Sequence, residues 1–203
     1  MSEIKCVLFD IGGVLVDWHM SWITSEISDR FNIDEDLITA SFAKYLNELD
    51  SGKIEEKEFW DKIASDTNSH SLKENTESLW DTYFRKNAKL NRDVINLSKN
   101  IGDNYTIGII SNIEKITHKV VDDWHVLDSF EHQFMSYKIG FSKPDSRIYK
   151  YVIDKLPFKP EDMIFIDDKK SNVEAALDSG IHAIHFTDYD ELKKSLSKYY
   201  LPV

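Results

Sequence analysis

The feature that most constrains this chain is the run Cys6-Val-Leu-Phe-Asp-Ile-Gly-Gly-Val-Leu-Val16. An apolar stretch ends on one carboxylate, Asp10, and passes almost at once into Gly12 and Gly13. A short, wholly apolar segment bounded in this way reads as a strand buried on both faces, the kind found in parallel sheets. In open α/β sheets ligands bind at the carboxyl ends of strands. An aspartate at that end, flanked by small residues, is placed to act as a nucleophile or a metal ligand. Alone, the same residues also describe an aspartate that caps a turn, so the rest of the chain has to decide.

That rest alternates. Residues 20–31, 34–49, 55–66 and 72–86 each place apolar side chains at helical spacing, as in Ile23, Ile27 and Phe31 or Leu79, Trp80, Tyr83 and Phe84. No strand pattern interrupts them between Asp17 and about Lys89, which predicts an all-helical insertion. Beyond residue 90 the pattern changes. Helix 91–101 leads to strand 105–111, helix 115–127 to strand 132–137, helix 145–155 to strand 163–167, and helix 171–179 to strand 181–186. A last helix covers 189–200. Strand–helix alternation predicts an α/β fold with a doubly wound parallel sheet, interrupted early by the helical insert.

Composition narrows the function classes. Apolar residues at 41% and charged residues at 30% describe a folded globular chain. A net charge of −11 argues against nucleic acid or an anionic membrane as partner. It leaves room for a small phosphorylated substrate where a metal and a lysine reverse the local field. The single cysteine, Cys6, forms no internal disulfide. With no signal-peptide layout in the first apolar run, this makes a reducing cytoplasm the expected compartment. Nothing in the sequence demands an oligomer, and a monomer or weak homodimer is expected.

Three expected strands end in polar residues fit for chemistry: Asp10, Ser111-Asn112, and Asp167-Asp168 with Asn172 a turn later. A fourth element, Lys143-Pro144-Asp145, opens a helix, with Pro144 at a favoured early position. Brought side by side, Asp10, Asp167 and Asp168 form a carboxylate cluster that needs a cation. Hard oxygen ligands favour Mg²⁺, which keeps several waters and takes phosphate oxygens. Ser111, the backbone after it and Lys143 then hold the phosphoryl group.

These four motifs, in this order, resemble the haloacid dehalogenase-like hydrolase superfamily over essentially the whole chain. The resemblance is closest to its sugar-phosphate phosphatases with an Asp-x-Gly first motif. It implies a Rossmann-like core of residues 1–16 and 88–203, with residues 17–87 as a helical cap. It also implies roles. Asp10 is the nucleophile that forms an aspartyl-phosphate and a Mg²⁺ ligand. The Gly12 carbonyl and Asp168 are further ligands, Asp167 holds a metal-bound water, and Asn172 orders the metal loop. Ser111, Asn112 and Lys143 bind phosphate, and Lys143 offsets the charge of Asp10. Asp17 and Trp18, at the entry to the cap, are expected at the substrate, with Trp22 a further candidate for the cap pocket.

One position departs from the pattern. Many phosphatases of this family carry a second aspartate two residues after the nucleophile, where it protonates the leaving oxygen and later activates water. Here that position is Gly12. General acid–base help is typically worth roughly 10²–10⁴-fold, so either the substrate has a good leaving group, as a sugar 1-phosphate or acyl phosphate does, or another group does this work, with Asp17 or His19 the expected substitutes, or turnover is feeble. An inactive phosphometabolite- or partner-binding protein of the same fold is the alternative the glycine keeps open. A 2-haloacid dehalogenase shares the nucleophile but works without Mg²⁺ and places small polar residues where Asp167-Asp168 stand.

Overall fold

The computed structural model describes residues 3–202. Met1, Ser2 and Val203, at the outer limits of the expected core segments, lie outside the described residues. The elements in chain order are β1 (Cys6–Phe9), β2 (Val16–Asp17), α1 (Met20–Phe31), α2 (Glu35–Asp50), α3 (Glu56–Asp66), α4 (His70–Lys73), α5 (Leu79–Asn87), β3 (Lys89–Leu90), α6 (Arg92–Gly102), β4 (Thr106–Ser111) and α7 (Lys115–Asp123). There follow β5 (His132–Met135), α8 (Ser136–Ile139), α9 (Ser146–Lys155), β6 (Met163–Asp167), α10 (Lys170–Asp178), β7 (His182–His185) and α11 (Tyr189–Ser197). No described helix is long and apolar enough to cross a membrane.

Five strands form one parallel sheet in the order β5-β4-β1-β6-β7. The chain starts in the middle, builds outward on one side through β4 and β5, then returns to build the other side through β6 and β7. β1 therefore sits at the switch point, where the loops after β1, β4 and β6 diverge and leave a crevice. All four β1 side chains are fully buried, as the unbroken apolar run requires. Val7 and Phe9 join Ile109, Ile166 and the residues of α6, α7 and α11 on one face. Cys6 and Leu8 join Phe165 and the residues of α9 and α10 on the other. The period of two divides one strand between two cores. Burial pushes the Cys6 thiol up to about 12, so it is inert packing.

The helices from α1 to α5 have a core of their own. Ile23, Ile27, Ile38, Leu49, Ile63 and Leu79 surround an aromatic knot of Phe42, Phe59, Trp60 and Trp80, whose ring centroids lie 5.0–6.0 Å apart. Such contacts add about 0.5–1.5 kcal/mol per pair beyond area burial. The insert is thus an independently cored layer. Trp18 packs against both this core and the sheet's.

Local chemistry explains where element boundaries depart from periodicity. The single helix expected over 72–86 is two, because Ser69 and Ser78 each accept an amide hydrogen bond, from Leu72 and Asp81, and cap separate starts. The helix expected over 115–127 ends at Asp123, with His125 in the left-handed region at φ 57°. The strand expected over 132–137 stops at Met135, where α8 begins and is closed by left-handed Gly140 at φ 86°. Pro144 does not open α9; Asp145 does, accepting from the Arg147 amide at 2.9 Å. The ribbon that pairs Val16 with Leu90 and Asp17 with Lys89 has no counterpart in the sequence reading, since two residues carry no period. It ties together the two chain crossings into the insert.

Candidate active site

Asp10 follows β1 directly. Its amide donates to the Ile166 carbonyl at 2.9 Å, which carries the β1–β6 ladder one residue further. That extra step sets Asp10 beside Asp167, the last residue of β6. Ser111 ends β4 on the other side and is buried. Three strand ends thus meet, as expected, and the loop before α9 brings Lys143 beneath them.

Lys143 is the centre of the charge network, and its side chain is fully buried. Its Nζ lies 2.9 Å from Asp10 Oδ1 and 2.6 Å from Asp167 Oδ2, and donates to the Ile110 carbonyl at 2.9 Å. Burial alone would lower the lysine's pKa; the two carboxylates more than reverse this and hold it raised. Burial pushes Asp167 up, but Lys143, the Lys169 amide and Asn172 outweigh it and hold the carboxyl below its ordinary range. Burial also pushes Asp10 up, to about 7, with Lys143 pulling down and Asp167 adding to the rise. One lysine does not neutralise this cluster.

The two adjacent aspartates differ sharply. Asp167 is saturated: Oδ1 accepts from the Lys169 amide at 2.8 Å, Asn172 Nδ2 reaches both oxygens at 3.0 and 3.1 Å, and Lys143 holds Oδ2. Asp168 Oδ1 is buried with no hydrogen-bond partner, and burial followed by Asp167 raises its pKa. Buried carboxylate oxygens without a donor are costly. Single ligand atoms from Asp10, Asp167 and Asp168 lie within 4.8 Å of one another. An all-oxygen set with one orphaned oxygen fits a hard divalent cation such as Mg²⁺. Gly13 makes the approach possible. It stands at φ +78°, and a Cβ there would lie 2.4 Å from Asp168 Cγ. His185 Nε2, 2.9 Å from the Asp168 carbonyl, pins the same turn from β7.

These residues open onto a cavity of about 240 Å³ lined by Asp10, Gly12, Ser111, Lys143 and Asp168 from the core, with Trp18, His19, Asp50 and Trp80 from the insert. The structure sorts the remaining expected residues. Trp18 lines this cavity, but Asp17 does not. Asp17 is turned into the neighbouring cleft beside Gly13, Lys89 and Thr187, 3.5 Å from His19, and both side chains are well exposed. Trp22 is also absent from the cavity wall, its ring set against Trp18 and His19 instead. Asn112 reaches the cavity, yet its amide is engaged at both ends by the Lys143 backbone, Nδ2 to O at 2.8 Å and Oδ1 from N at 2.7 Å. It positions the lysine.

Among the cavity residues new to the sequence reading are Asp50, Glu114 and Thr117. Glu114 caps α7 and accepts from the Thr117 amide at 2.7 Å and from the Thr117 hydroxyl. That hydroxyl in turn accepts from Trp80 Nε1 of the insert at 2.7 Å. Burial and then Asp50 push Glu114 up to about 8. Asp50 gives the local signal of a helix stop and nothing more.

The family model for haloacid dehalogenase-like hydrolases matches residues 4–180. The chain belongs to this family. Among characterised relatives it is 26% identical over 194 residues to a sesquiterpene phosphatase of Aspergillus oryzae, covering 92% of each chain. It is 24% identical over 191 residues to a D-ribitol-5-phosphate phosphatase of Bacteroides thetaiotaomicron, covering 87% of this chain and 89% of that one. A drimenol cyclase of Aspergillus calidoustus is 25% identical over 96% of this chain, which spans only 36% of the cyclase. The fold matches a wild-type haloacid dehalogenase family enzyme of Bacteroides thetaiotaomicron crystallised with magnesium and inorganic phosphate, with a TM-score of 0.74 at 23% identity over 93% of this chain and 98% of that one. The five-stranded sheet with its helical insert is thus the hydrolase fold of this family, as the motif order implied.

Proposed function

We propose that this hydrolase is a Mg²⁺-dependent phosphomonoesterase that works through an aspartyl-phosphate on Asp10. The observation that carries the reading is the switch-point cluster: a nucleophile-competent carboxylate held by a buried lysine, beside an aspartate whose oxygen has no protein donor. Asp10, the Gly12 carbonyl and Asp168 would hold Mg²⁺, which supplies charge neutralisation for the phosphoryl oxygens. Asp167, saturated by its own neighbours, keeps Lys143 aimed at Asp10. Lys143 and Ser111 bind the phosphoryl oxygens, and Asn112 sets the lysine.

In the first step an Asp10 oxygen attacks phosphorus in line and the ester oxygen leaves. In the second, water attacks the same phosphorus and Asp10 is released. Residues 17–87 act as a cap over the core of residues 1–16 and 88–203, excluding water during the first step. The cavity, smaller than sites for drug-sized ligands, suits a small phosphorylated metabolite. The phosphatase relatives support the reaction class.

Phosphate release from p-nitrophenyl phosphate tests the reading. Turnover is expected with Mg²⁺, lost in EDTA, restored by Mg²⁺, and absent in Asp10→Asn with the fold intact by circular dichroism. Turnover that survives EDTA or Asp10→Asn refutes it.

A further inference from the structure

We propose that Asp50, delivered by the tip of the insert, is the acid/base that Gly12 does not supply; this rests on the phosphatase reading of Asp10. Asp50 is the last residue of α2, forty positions from the nucleophile, and it lines the same cavity as Asp10, Gly12 and Lys143. Two contacts dock the tip there. The Ser136 hydroxyl donates to the Asp50 carbonyl and accepts from the Ile113 amide at 2.9 Å, so one fully buried serine ties the tip to the loop after β4. Gly52, at φ +68°, lies so near Tyr137 that a Cβ would be 2.5 Å from its carbonyl oxygen. Docking this close needs glycine.

The Asp50 carboxyl is available where its rivals are not. Among the described residues, none donates a hydrogen bond to it or forms an ion pair with it within 4.0 Å. Glu114 is bound to Thr117 by both amide and hydroxyl. His19 sits at the rim, its side chain 65% exposed and turned toward Asp17. The charged groups around Asp50 are Lys169, Asp10, Lys143 and Glu114. Burial, aided by Asp10 and opposed by the lysines, pushes its pKa up to about 7. A group so poised can both give and take a proton near neutrality.

The chemistry balances. As the Asp10 oxygen bonds to phosphorus, the phosphorus–ester oxygen bond breaks and the Asp50 proton passes to that oxygen, which leaves as an alcohol. Asp50, now a carboxylate, takes a proton from the water whose oxygen attacks the phosphoaspartate. The bond from phosphorus to Asp10 then breaks, phosphate is released, and Asp10 is restored as a carboxylate and Asp50 as a carboxylic acid. An alkyl ester needs the first proton transfer; p-nitrophenolate leaves without it.

The test compares wild type with Asp50→Asn on β-glycerophosphate and p-nitrophenyl phosphate, by rapid quench with Mg²⁺ present. On the alkyl ester, phosphoryl transfer in Asp50→Asn should fall by about 10²–10⁴-fold. On the aryl ester a burst of p-nitrophenolate, one per enzyme, should appear within about threefold of the wild-type rate, followed by slow turnover as unprotonated-base help for water is lost. Position 12 offers a rescue, because a Cβ on Gly12 meets nothing within 4 Å. Gly12→Asp in the Asp50→Asn background should recover alkyl-ester turnover at least about tenfold. Equal losses on the two esters, or no loss on either, overturn the proposal, the first by showing a merely structural role. Should Asp50→Asn fail to fold, Asp50→Glu takes its place: retained turnover with a shifted acidic limb of the pH–rate profile supports the assignment, and an unmoved profile overturns it. Inactivity of the wild type on both esters is a different failure, that of the phosphatase reading itself, and takes this proposal with it.

Discussion

Lys143→Met replaces a fully buried ammonium with a chain of similar length, so the change removes charge and donors without opening a cavity. What it leaves is specific. Asp10 Oδ1 loses a partner at 2.9 Å, Asp167 Oδ2 loses one at 2.6 Å, and the Ile110 carbonyl loses its donor. Breaking a buried ion pair from one side costs about 3–5 kcal/mol, because the partner charge stays behind. For a chain of this length each kcal/mol moves Tm by roughly 2–4 °C, so the melting temperature in EDTA should fall by about 6–20 °C near pH 8. The pH dependence carries the sign. In the wild type Asp167 is held below its ordinary pKa, so it adds stability above the unfolded value that is lost only as pH falls through the folded one. In the variant both stranded carboxyls are pushed up, and protonation relieves them, so the gap to wild type should narrow from about pH 8 to about pH 5. Scanning fluorimetry or calorimetry across that range measures it. A gap below 2 °C (roughly one kcal/mol or less), or one that does not change with pH, would refute the charge network as the reason this lysine is buried.

Two further outcomes follow from the same geometry. Gly13→Ala forces a side chain against Asp168 at a left-handed backbone position; strain of about 1–3 kcal/mol should weaken Mg²⁺ binding by about 5–150-fold, read by titration calorimetry, and unchanged affinity would sever Asp168 from the metal. Glu114→Gln keeps an acceptor for Thr117 while removing a charge whose pKa folding raises from 4.5 to about 8. For such an acid, stability is full below the unfolded value and drains as pH rises through the folded one, so the variant should melt above wild type by a margin that grows from about pH 5 to about pH 8; equal melting curves at both ends would contradict it.

The local code of the chain was enough to place the α/β core and to bring the motif residues to one rim of its sheet. Asp10, Ser111 and Asp167 stand at the ends of apolar runs, and a strand end in an alternating α/β chain has one place to go, the rim of the sheet. The details that periodicity misassigned are those set by single side chains: Ser78 starting a new helix, Gly140 closing a one-turn one. Asp17 and Asn112 show the limit of reading function from position. Both lie near the motifs, but the ribbon turns Asp17 into a neighbouring cleft, and the Lys143 backbone occupies the Asn112 amide.

The run that begins at Cys6 determined by itself that a buried strand would deliver a carboxylate to the carboxyl end of a sheet, because four consecutive apolar residues permit no solvated face. It also put a glycine, Gly12, two residues after that carboxylate. Which distant residue shares the cavity with Gly12 was decided only by the tertiary structure. Asp50 has no motif, and its place in the cavity that Asp10 also lines depends on a buried serine 86 residues away in sequence and on a close glycine contact. Local patterns report how a segment folds; the meeting of distant segments depends on packing that no one of them encodes.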